Sequence, residues 1–197
     1  MISDGSWTVY CEMLWLKVVG GRRSYCDGVI REMTDTTRTG GRCFEDFDVG
    51  MVIRHPLGRT VTTADNIWFT LLTGNTNPIH FDANYAAQTE FGKPLVNSTF
   101  TLAVVTGLSV ADVSQYGVNL GWDEVRIPAP LFEGDTLYAQ TEVLGKRDST
   151  SRPHMGLLEV KTIGFKQDGT VVLELKRAIL VYRRGHVPSI PQPTLKG

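Results

Sequence analysis

Residues 97–112 read NSTFTLAVVTGLSVAD, three polar residues followed by the most apolar segment of the chain. Phe100, Val104 and Leu108 fall on one face of a helix over 98–112, whereas Leu102 and Val105 fall on others. A helix that is apolar nearly all round is buried, so we expect other elements of the fold to surround it.

The second half of the chain supplies those elements. It contains four runs rich in Val, Ile, Leu, Tyr and Thr, at 118–127, 136–144, 155–165 and 171–182. Gly134-Asp135 opens the second run, and Gln167-Asp168-Gly169 indicates a hairpin between the last two. Because helices precede antiparallel strands, the pattern predicts a single α+β domain with an antiparallel sheet wrapped around a long central helix.

An amphipathic helix precedes the central one. Its apolar residues recur at i, i+3, i+4, i+7 and i+8, and they are Ala64, Ile67, Trp68, Leu71 and Leu72. Thr62 or Thr63 provides the N-cap and Gly74 the C-terminal stop. A shorter helix is predicted from Asp82 to Phe91. The aromatic residues assigned to the core are Trp68, Phe69, Tyr85, Phe91 and Phe100.

The domain organisation follows from length and composition. With 197 residues and 42% hydrophobic content, the chain is long enough for one well-buried core. We expect residues 1–41 to form an extension that is loosely ordered or contains a strand over 8–19. We expect residues 42–185 to form the domain and residues 186–197, with three prolines, to form an extended tail.

Charge and cysteine usage exclude several kinds of partner. Lys and Arg number 20 against 21 Asp and Glu, which argues against a nucleic-acid surface. Cys11, Cys26 and Cys43 have no metal-ligand spacing, so neither a disulfide framework nor a metal site is predicted, and no redox cofactor is indicated. The first residues lack a secretory signal, and the apolar stretch at 13–20 is too short to span a membrane. A cytoplasmic protein without a membrane partner is therefore expected.

A polar turn, GNTNPIHFD at 74–82, lies between the predicted helices and contains His80. An imidazole titrates near neutral pH and suits proton transfer, whereas a histidine that only caps the turn is the structural alternative. Asn75 also has two interpretations, because Asn is favoured where a chain leaves a helix in the left-handed region. The other histidines are assigned no role, namely His55, His154 and His186.

Four blocks of sequence, in this order and spacing, carry a resemblance to a known family. They are FEDFDVG at 44–50, NTNPIH at 75–80, FGKPLVNS at 91–98 and FEGDTL at 132–137. The chain from about 44 to 184 resembles the MaoC-like, (R)-specific enoyl-CoA hydratase and acyl dehydratase family of the hot-dog fold. The resemblance implies a single hot-dog domain.

The resemblance also implies roles for individual residues. In that family an Asp and a His in the turn activate the water that adds to an enoyl thioester. His80 matches the family histidine and Asn77-Pro78 the pair between, but Asn75 stands where the catalytic Asp is usual. An amide can orient a water through its carbonyl oxygen, yet it accepts no proton at neutral pH.

Further substrate-binding residues follow from the next block. Asn97 and Ser98 stand where the family usually has His-Gly, whose glycine amide binds the thioester oxygen. The Ser98 N–H retains that capacity at the start of the central helix, and Asn97 adds a side-chain donor. Thr106 matches a family serine position within the helix. The predicted site thus comprises His80 and Asn75 as catalytic residues, with Asn77, Asn97, Ser98 and Thr106 as substrate-binding residues.

The resemblance leaves three functions open. The first is a hydro-lyase that reversibly adds water to a 2-enoyl-CoA, giving a 3-hydroxyacyl-CoA, with branched or dicarboxylic acyl groups as candidates. The second is an acyl-CoA thioesterase, ranked low because residues 98–111 contain no carboxylate. The third is a non-catalytic acyl-thioester binder, suggested by Asn75. Coenzyme A is expected only as part of the substrate, and a homodimer or dimer of dimers is expected by analogy.

Overall fold

The computed structural model describes residues 40–195. The predicted N-terminal extension over 1–41, with its possible strand over 8–19, lies outside the described residues apart from Gly40 and Gly41. The boundaries proposed for the extension, the domain and the tail therefore stay predictions.

An antiparallel sheet of two short and four long strands forms the body of the domain. The short strands are β1 (Val52–Arg54) and β2 (Arg59–Thr60), and the long ones are β3 (Gly117–Arg126), β4 (Thr136–Asp148), β5 (Met155–Lys166) and β6 (Val171–Tyr182). The strand order is β1-β4-β5-β6-β3, and β2 also pairs with β4. All four long strands were predicted, with ends within a few residues except for β4, which continues to Asp148.

The central helix, α3 (Ser98–Leu108), packs one side against this sheet. Thr101 and Val105 on that side are buried, at 2% and 0% exposure. Gly164 on β5 makes the close approach possible, because a Cβ built there would lie 2.4 Å from Cγ2 of Val105. The predicted α+β arrangement, a sheet around a central helix, is confirmed.

Two details of the central helix were predicted wrongly. The α-helix ends at Leu108 rather than near 112, and a π-helical turn follows over Val110–Ser114. The helix is also not buried all round, because Ala103 and Gly107 are exposed. One sheet covers only one side of a helix, so the apolar residues on the other side have no cover within residues 40–195.

The first helix, α1 (Thr63–Leu72), begins with the predicted cap. The Thr62 Oγ1 accepts a hydrogen bond from Asp65 N, and the Asp65 carboxylate accepts one from Thr62 N at 2.9 Å. The core assignment of Trp68 is wrong, since 74% of that residue is exposed, and Leu72 is 83% exposed. The side of α1 that faces inward carries polar residues instead, because it contacts the turn that follows.

The other aromatic residues assigned to the core differ in how far they are buried. Tyr85 is 46% exposed and does not belong to the core. Phe69 and Phe100 are half-buried, and their rings meet edge to face with centroids 5.3 Å apart, which joins α1 to α3. Phe91 is also half-buried and lies 6.3 Å from the ring of Phe132.

The second helix is shorter than predicted. It is a single turn, α2 (Ala83–Ala86), capped by Asp82, whose Oδ1 accepts a hydrogen bond from Tyr85 N at 3.0 Å. The Thr89 hydroxyl donates to the Ala86 carbonyl at 2.7 Å. The Thr89 N–H donates to the same carbonyl, three residues back rather than four, so the α-helical pattern ends well before Phe91.

Candidate active site

The turn between α1 and α2 is built by two asparagine side chains. The Asn75 Oδ1 accepts a hydrogen bond from Asn77 N at 3.0 Å, and the Asn77 Oδ1 accepts one from Ile79 N at 3.3 Å. Each is a local turn of the type that Asn side chains favour. Pro78 then begins a short 3-10 helix, Pro78–His80, whose last residue is the histidine. Both asparagines therefore shape the backbone that presents His80.

His80 is 8% exposed and is held in one tautomer. Its Nδ1 lies 2.8 Å from the carbonyl oxygen of Leu95. A carbonyl oxygen only accepts, so Nδ1 carries the hydrogen and donates it. In the neutral ring Nε2 then keeps its lone pair. The arrangement presents a nitrogen that can accept a proton.

Asn75 offers a donor rather than a base. Its Oδ1 already accepts from Asn77 N, while its Nδ2 has no acceptor among residues 40–195. An amide nitrogen donates hydrogen bonds and takes no proton at neutral pH. Between the two predicted catalytic residues, His80 alone can therefore accept a proton.

The start of α3 provides a hydrogen-bond donor. Asn97 is the N-cap, and its Oδ1 accepts from Thr99 N at 3.0 Å and from Thr99 Oγ1 at 2.7 Å. Ser98 is the first residue of the helix and is exposed. Within residues 40–195 its N–H has no acceptor. A free N–H at a helix N-terminus attracts a developing negative charge.

A buried asparagine on α1, absent from the residues predicted from sequence, connects the turn to the start of α3. Asn66 is 0% exposed, and its Nδ2 lies 2.8 Å from the His80 carbonyl oxygen. The same nitrogen lies 3.2 Å from the Leu95 carbonyl oxygen, and the Asn66 Oδ1 accepts from Asn97 N at 3.0 Å. One residue thus contacts the chain at all three places that form the site.

A family model described as MaoC like domain matches residues 46–163, more than half of the chain. The chain belongs to the MaoC-like dehydratase family. The predicted recognition is confirmed, and the matched residues include the turn with His80 and the whole of α3.

Curated relatives and solved structures agree with this assignment. The MaoC-like domain is 31% identical over 156 residues to mesaconyl-CoA hydratase of Cereibacter sphaeroides, covering 79% of this chain and 45% of the relative. It is 31% identical over 154 residues to beta-methylmalyl-CoA dehydratase of Chloroflexus aurantiacus, covering 78% of this chain and 43% of the relative. The match therefore spans less than half the length of these relatives.

A solved structure of a conserved hypothetical protein from Mycobacterium tuberculosis, described as having a double hotdog fold, is similar with a TM-score of 0.69. The sequence identity is 25%, and the match covers 75% of this chain and 46% of that one. The predicted hot-dog fold is confirmed. By length, the MaoC-like domain corresponds to about one half of that double fold.

Thr106 lies apart from the other predicted site residues of the MaoC-like domain. It follows Ser98 by eight residues on α3, which places it roughly 12 Å further along the helix axis. Its hydroxyl donates to the Leu102 carbonyl of the preceding turn at 2.7 Å. The predicted substrate contact of Thr106 stays a prediction, and the structure does not bring its hydroxyl to the start of α3.

Asn97 is also largely engaged within the protein. Its side-chain Oδ1 caps α3, and its Nδ2 donates to Thr70 Oγ1 at 3.2 Å. Thr70 and Asn66 are four residues apart on the inward side of α1, and both are fully buried. This i, i+4 polar pair was the available signal for Asn66, but the polar side of an amphipathic helix normally faces solvent.

His55, which was assigned no role, belongs to a second and separate polar group. Its Nδ1 lies 2.8 Å from Asp112 Oδ2, and its Nε2 lies 2.9 Å from Thr141 Oγ1. Burial lowers the pKa of His55, while the hydrogen bond to Asp112 opposes that shift. The hydrogen bond between His55 and Asp112 links the loop after β1 to the segment after α3. It also engages the Asp112 carboxylate, the one nearest the end of the helix.

Metal ligation finds no support in the described residues. Residues 40–195 contain no cluster of three or more His, Cys, Asp or Glu side chains that is arranged to bind a metal ion. Over the same residues, none of the helices is both long and apolar enough to cross a membrane.

Proposed function

We propose that this MaoC-like domain catalyses the reversible addition of water to a 2-enoyl-CoA thioester, giving a 3-hydroxyacyl-CoA. The observation that carries the proposal is the His80 imidazole, whose Nδ1 donates to the Leu95 carbonyl and whose Nε2 is left as a base. The relatives named mesaconyl-CoA hydratase and beta-methylmalyl-CoA dehydratase support a branched, dicarboxylic acyl group.

The water is positioned by the two residues of the turn. The Asn75 Nδ2 donates to the oxygen of the water, and the water donates to Nε2 of His80. As the oxygen attacks C3 of the substrate, His80 removes the proton. Electrons of the double bond move towards the thioester carbonyl, which becomes an enolate oxygen.

The enolate is stabilised at the start of α3. The Ser98 N–H donates to the thioester oxygen, and the helix dipole favours the negative charge there. The imidazolium then returns its proton to C2, directly or through a water. One hydroxyl at C3 and one hydrogen at C2 have been added, and His80 is neutral again.

Replacement of His80 tests the base. Loss of a general base slows a reaction by about 10²–10⁴-fold, so His80→Ala should lower kcat/KM by at least that lower bound. The reaction is followed by loss of the ultraviolet absorbance of the conjugated thioester. His154→Ala is the matched control, since His154 is exposed and lies outside the turn. Equal rates for His80→Ala and the parent protein would refute the mechanism.

Replacement of Ser98 tests the oxyanion contact. Proline is tolerated at the first position of a helix, and the preceding Asn97 has φ −58° and ψ 126°, a conformation compatible with a following proline. Ser98→Pro therefore keeps the helix and removes only the N–H and hydroxyl. We expect kcat to fall about 10²–10³-fold. Ser98→Ala retains the N–H and should stay close to the parent rate; equal rates for both variants would argue against the contact.

A second copy of the chain is the proposed partner. The exposed side of α3 and the strand β3, which pairs only with β6 among residues 40–195, leave an apolar surface. Val118, Leu120 and Trp122 on β3 are each about half exposed, at 50%, 53% and 51%. The match covers only 45% and 43% of the two relatives, so in them a second unit can lie within the same chain.

The oligomeric state is measured by size-exclusion chromatography with light scattering. We expect a dimer or a dimer of dimers, and Leu120→Lys should shift the mass towards that of one chain. Leu195→Lys in the C-terminal tail, where the residue is 99% exposed, is the control and should leave the mass unchanged. A parent protein with the mass of one chain would refute this part of the proposal.

Asn75 favours one alternative, an acyl-thioester binder without turnover. Tight binding of enoyl-CoA and hydroxyacyl-CoA thioesters with no change in either would support it. A thioesterase is disfavoured because α3 carries no carboxylate and Asp112, beyond its end, is bonded to His55. Release of free thiol from a saturated acyl-CoA, detected with a thiol reagent, would reverse that order.

A further inference from the structure

We propose that Asn66 is the positioning residue of this site, which holds the His80 turn and the start of α3 in one fixed arrangement through a single side-chain amide. The inference rests on the proposed function for its effect on rate. Its structural part, the orientation of the His80 ring, can be measured without any substrate.

The first step is the hydrogen bonding of the amide. The Asn66 Nδ2 donates to the His80 carbonyl at 2.8 Å and to the Leu95 carbonyl at 3.2 Å. The Asn66 Oδ1 accepts from Asn97 N at 3.0 Å. The three partners belong to the turn, to the strand-like segment after α2, and to the cap of α3.

The second step is the uniqueness of this orientation. Asn66 is 0% exposed, so no water replaces a lost partner. Rotating the amide by half a turn would bring its oxygen against two carbonyl oxygens and its N–H groups against the N–H of Asn97. A buried polar group left without partners costs more than its hydrogen bonds contribute, so only one orientation is stable.

The third step concerns the Leu95 carbonyl, which Asn66 and His80 share. That oxygen accepts from Asn66 Nδ2 and also from His80 Nδ1 at 2.8 Å. Asn66 therefore fixes the acceptor that selects the tautomer of His80. A displaced acceptor would allow the other tautomer, in which Nε2 carries the hydrogen and is no longer a base.

The fourth step concerns the donor for the thioester oxygen. The Asn97 N–H bonded to Asn66 immediately precedes Ser98 in the chain, so the position of the Ser98 N–H follows that of Asn97. The base and the oxyanion donor are thus connected through one amide. Small errors in such distances lower the rate strongly without preventing substrate binding.

The side chain of Asn66 is itself supported at the start of α1. Glu133 Oε2 accepts from Thr63 Oγ1 at 2.6 Å, and Glu133 Oε1 lies 3.4 Å from Asn66 Nδ2. These contacts hold the first turn of α1 against the segment that precedes β4. The helix is therefore fixed at the end from which Asn66 projects.

The test compares Asn66→Leu with a control of equal burial. Leucine has a similar size and lacks the amide, so the hydrogen bonds to His80, Leu95 and Asn97 and the contact with Glu133 are all removed. Thr162→Val is the control, because Thr162 is also 0% exposed and its hydroxyl bonds only within the group around Thr141 and Arg177. Both proteins are assayed below their unfolding temperatures, so a general loss of stability affects them alike.

Two measurements are made on the full chain. The first is steady-state kinetics, where Asn66→Leu should lower kcat by about 10-fold or more with KM changed by less than about 3-fold, while Thr162→Val stays near the parent values. The second is nitrogen-15 NMR of the histidine rings, with the His80 signals assigned by their loss in His80→Gln. The parent protein should show the Nδ1–H tautomer and Asn66→Leu a mixture of both.

Either of two results would overturn the proposal: an Asn66→Leu protein with an unchanged His80 tautomer, or one with kcat within about 3-fold of the parent. If the parent turns over no enoyl-CoA, the proposed function fails, and the tautomer comparison alone decides the role of Asn66. If Asn66→Leu does not fold, Asn66→Ala replaces it. Alanine also lacks the amide and brings no larger apolar group against the polar partners, so the same loss of kcat and the same mixture of His80 tautomers are expected.

Discussion

Gly164→Ala tests how closely α3 lies on the sheet. The added Cβ would lie 2.4 Å from Cγ2 of Val105 and 3.1 Å from its Cγ1. Carbon atoms in contact are normally about 3.5–4.0 Å apart, so the methyl group is about 1 Å too close. Val105 is 0% exposed, so its side chain is surrounded by other atoms of the protein. Either α3 shifts away from β5 or the side chain leaves its preferred rotamer.

The magnitude follows from overpacking. Inserting a methyl group into a filled core costs about 1–3 kcal/mol of unfolding free energy. For a chain of this size about 2–4 °C of Tm is lost per kcal/mol, so we expect a decrease of roughly 2–12 °C. Gly164 is not among the glycines with positive φ, so its backbone accepts alanine without strain and the effect comes from the contact alone.

Urea unfolding followed by circular dichroism measures this free energy. Combining Gly164→Ala with Val105→Ala should restore part of the loss, giving a coupling of about 0.5 kcal/mol or more. Additive effects of the two substitutions, or no loss in Gly164→Ala, would refute the packing argument.

Three further predictions concern the turn, the second polar group and the first helix. Asn75→Asp preserves the acceptor for Asn77 N and adds a base, so hydratase kcat/KM should equal or exceed that of the parent in the ultraviolet assay. Burial lowers the pKa of His55 below its usual 6.5, so below that pH the unfolded chain binds a proton more readily than the folded chain does. Tm should therefore fall as the pH is lowered from 6.5 towards 5, and the decrease should be smaller in His55→Gln. Thr62→Ala removes the cap of α1 and should lower the urea unfolding free energy by about 1 kcal/mol, with m unchanged.

The strands could be predicted from sequence because their signal is local. Apolar and β-branched residues bounded by turn residues identify a strand wherever it pairs, and the run at 171–182 coincides with β6. The capped start of α1 is equally local, since Thr62 and Asp65 are three residues apart. These elements depend on neighbours in the chain rather than on the tertiary arrangement.

The orientation of α1 could not be predicted in the same way. Its apolar stripe implied a buried Trp68, on the assumption that a helix turns its apolar side to the core of its own chain. The structure buries Asn66 and Thr70 instead, and 74% of Trp68 remains exposed. Polar residues are buried there because backbone groups of the turn and of the α3 cap need partners, and those groups are 14 and 31 residues away from Asn66.

The sequence indicates candidate site residues but not the contacts that orient them. The resemblance identified His80 and the substitution at Asn75 from a pattern of six residues. The tautomer of His80 depends on the Leu95 carbonyl, fifteen residues further on, and every residue carries such a carbonyl. No side-chain pattern distinguishes the one that will accept from the ring, so this contact emerges only from the folded chain.

In the proposed mechanism, the amide at Asn75 and the fixed tautomer of His80 depend on each other. With a carboxylate at position 75, two groups could share the proton of the water, and the reaction would tolerate some freedom in the imidazole. With an amide there, the proposed mechanism requires Nε2 of His80 both to remove the proton and to return it to C2. The same nitrogen then faces both carbon atoms from one side, so the hydroxyl and the hydrogen are added to the same face of the double bond. A single base working from one side needs a ring that neither rotates nor changes tautomer, and the Leu95 carbonyl, held in turn by Asn66, meets that need.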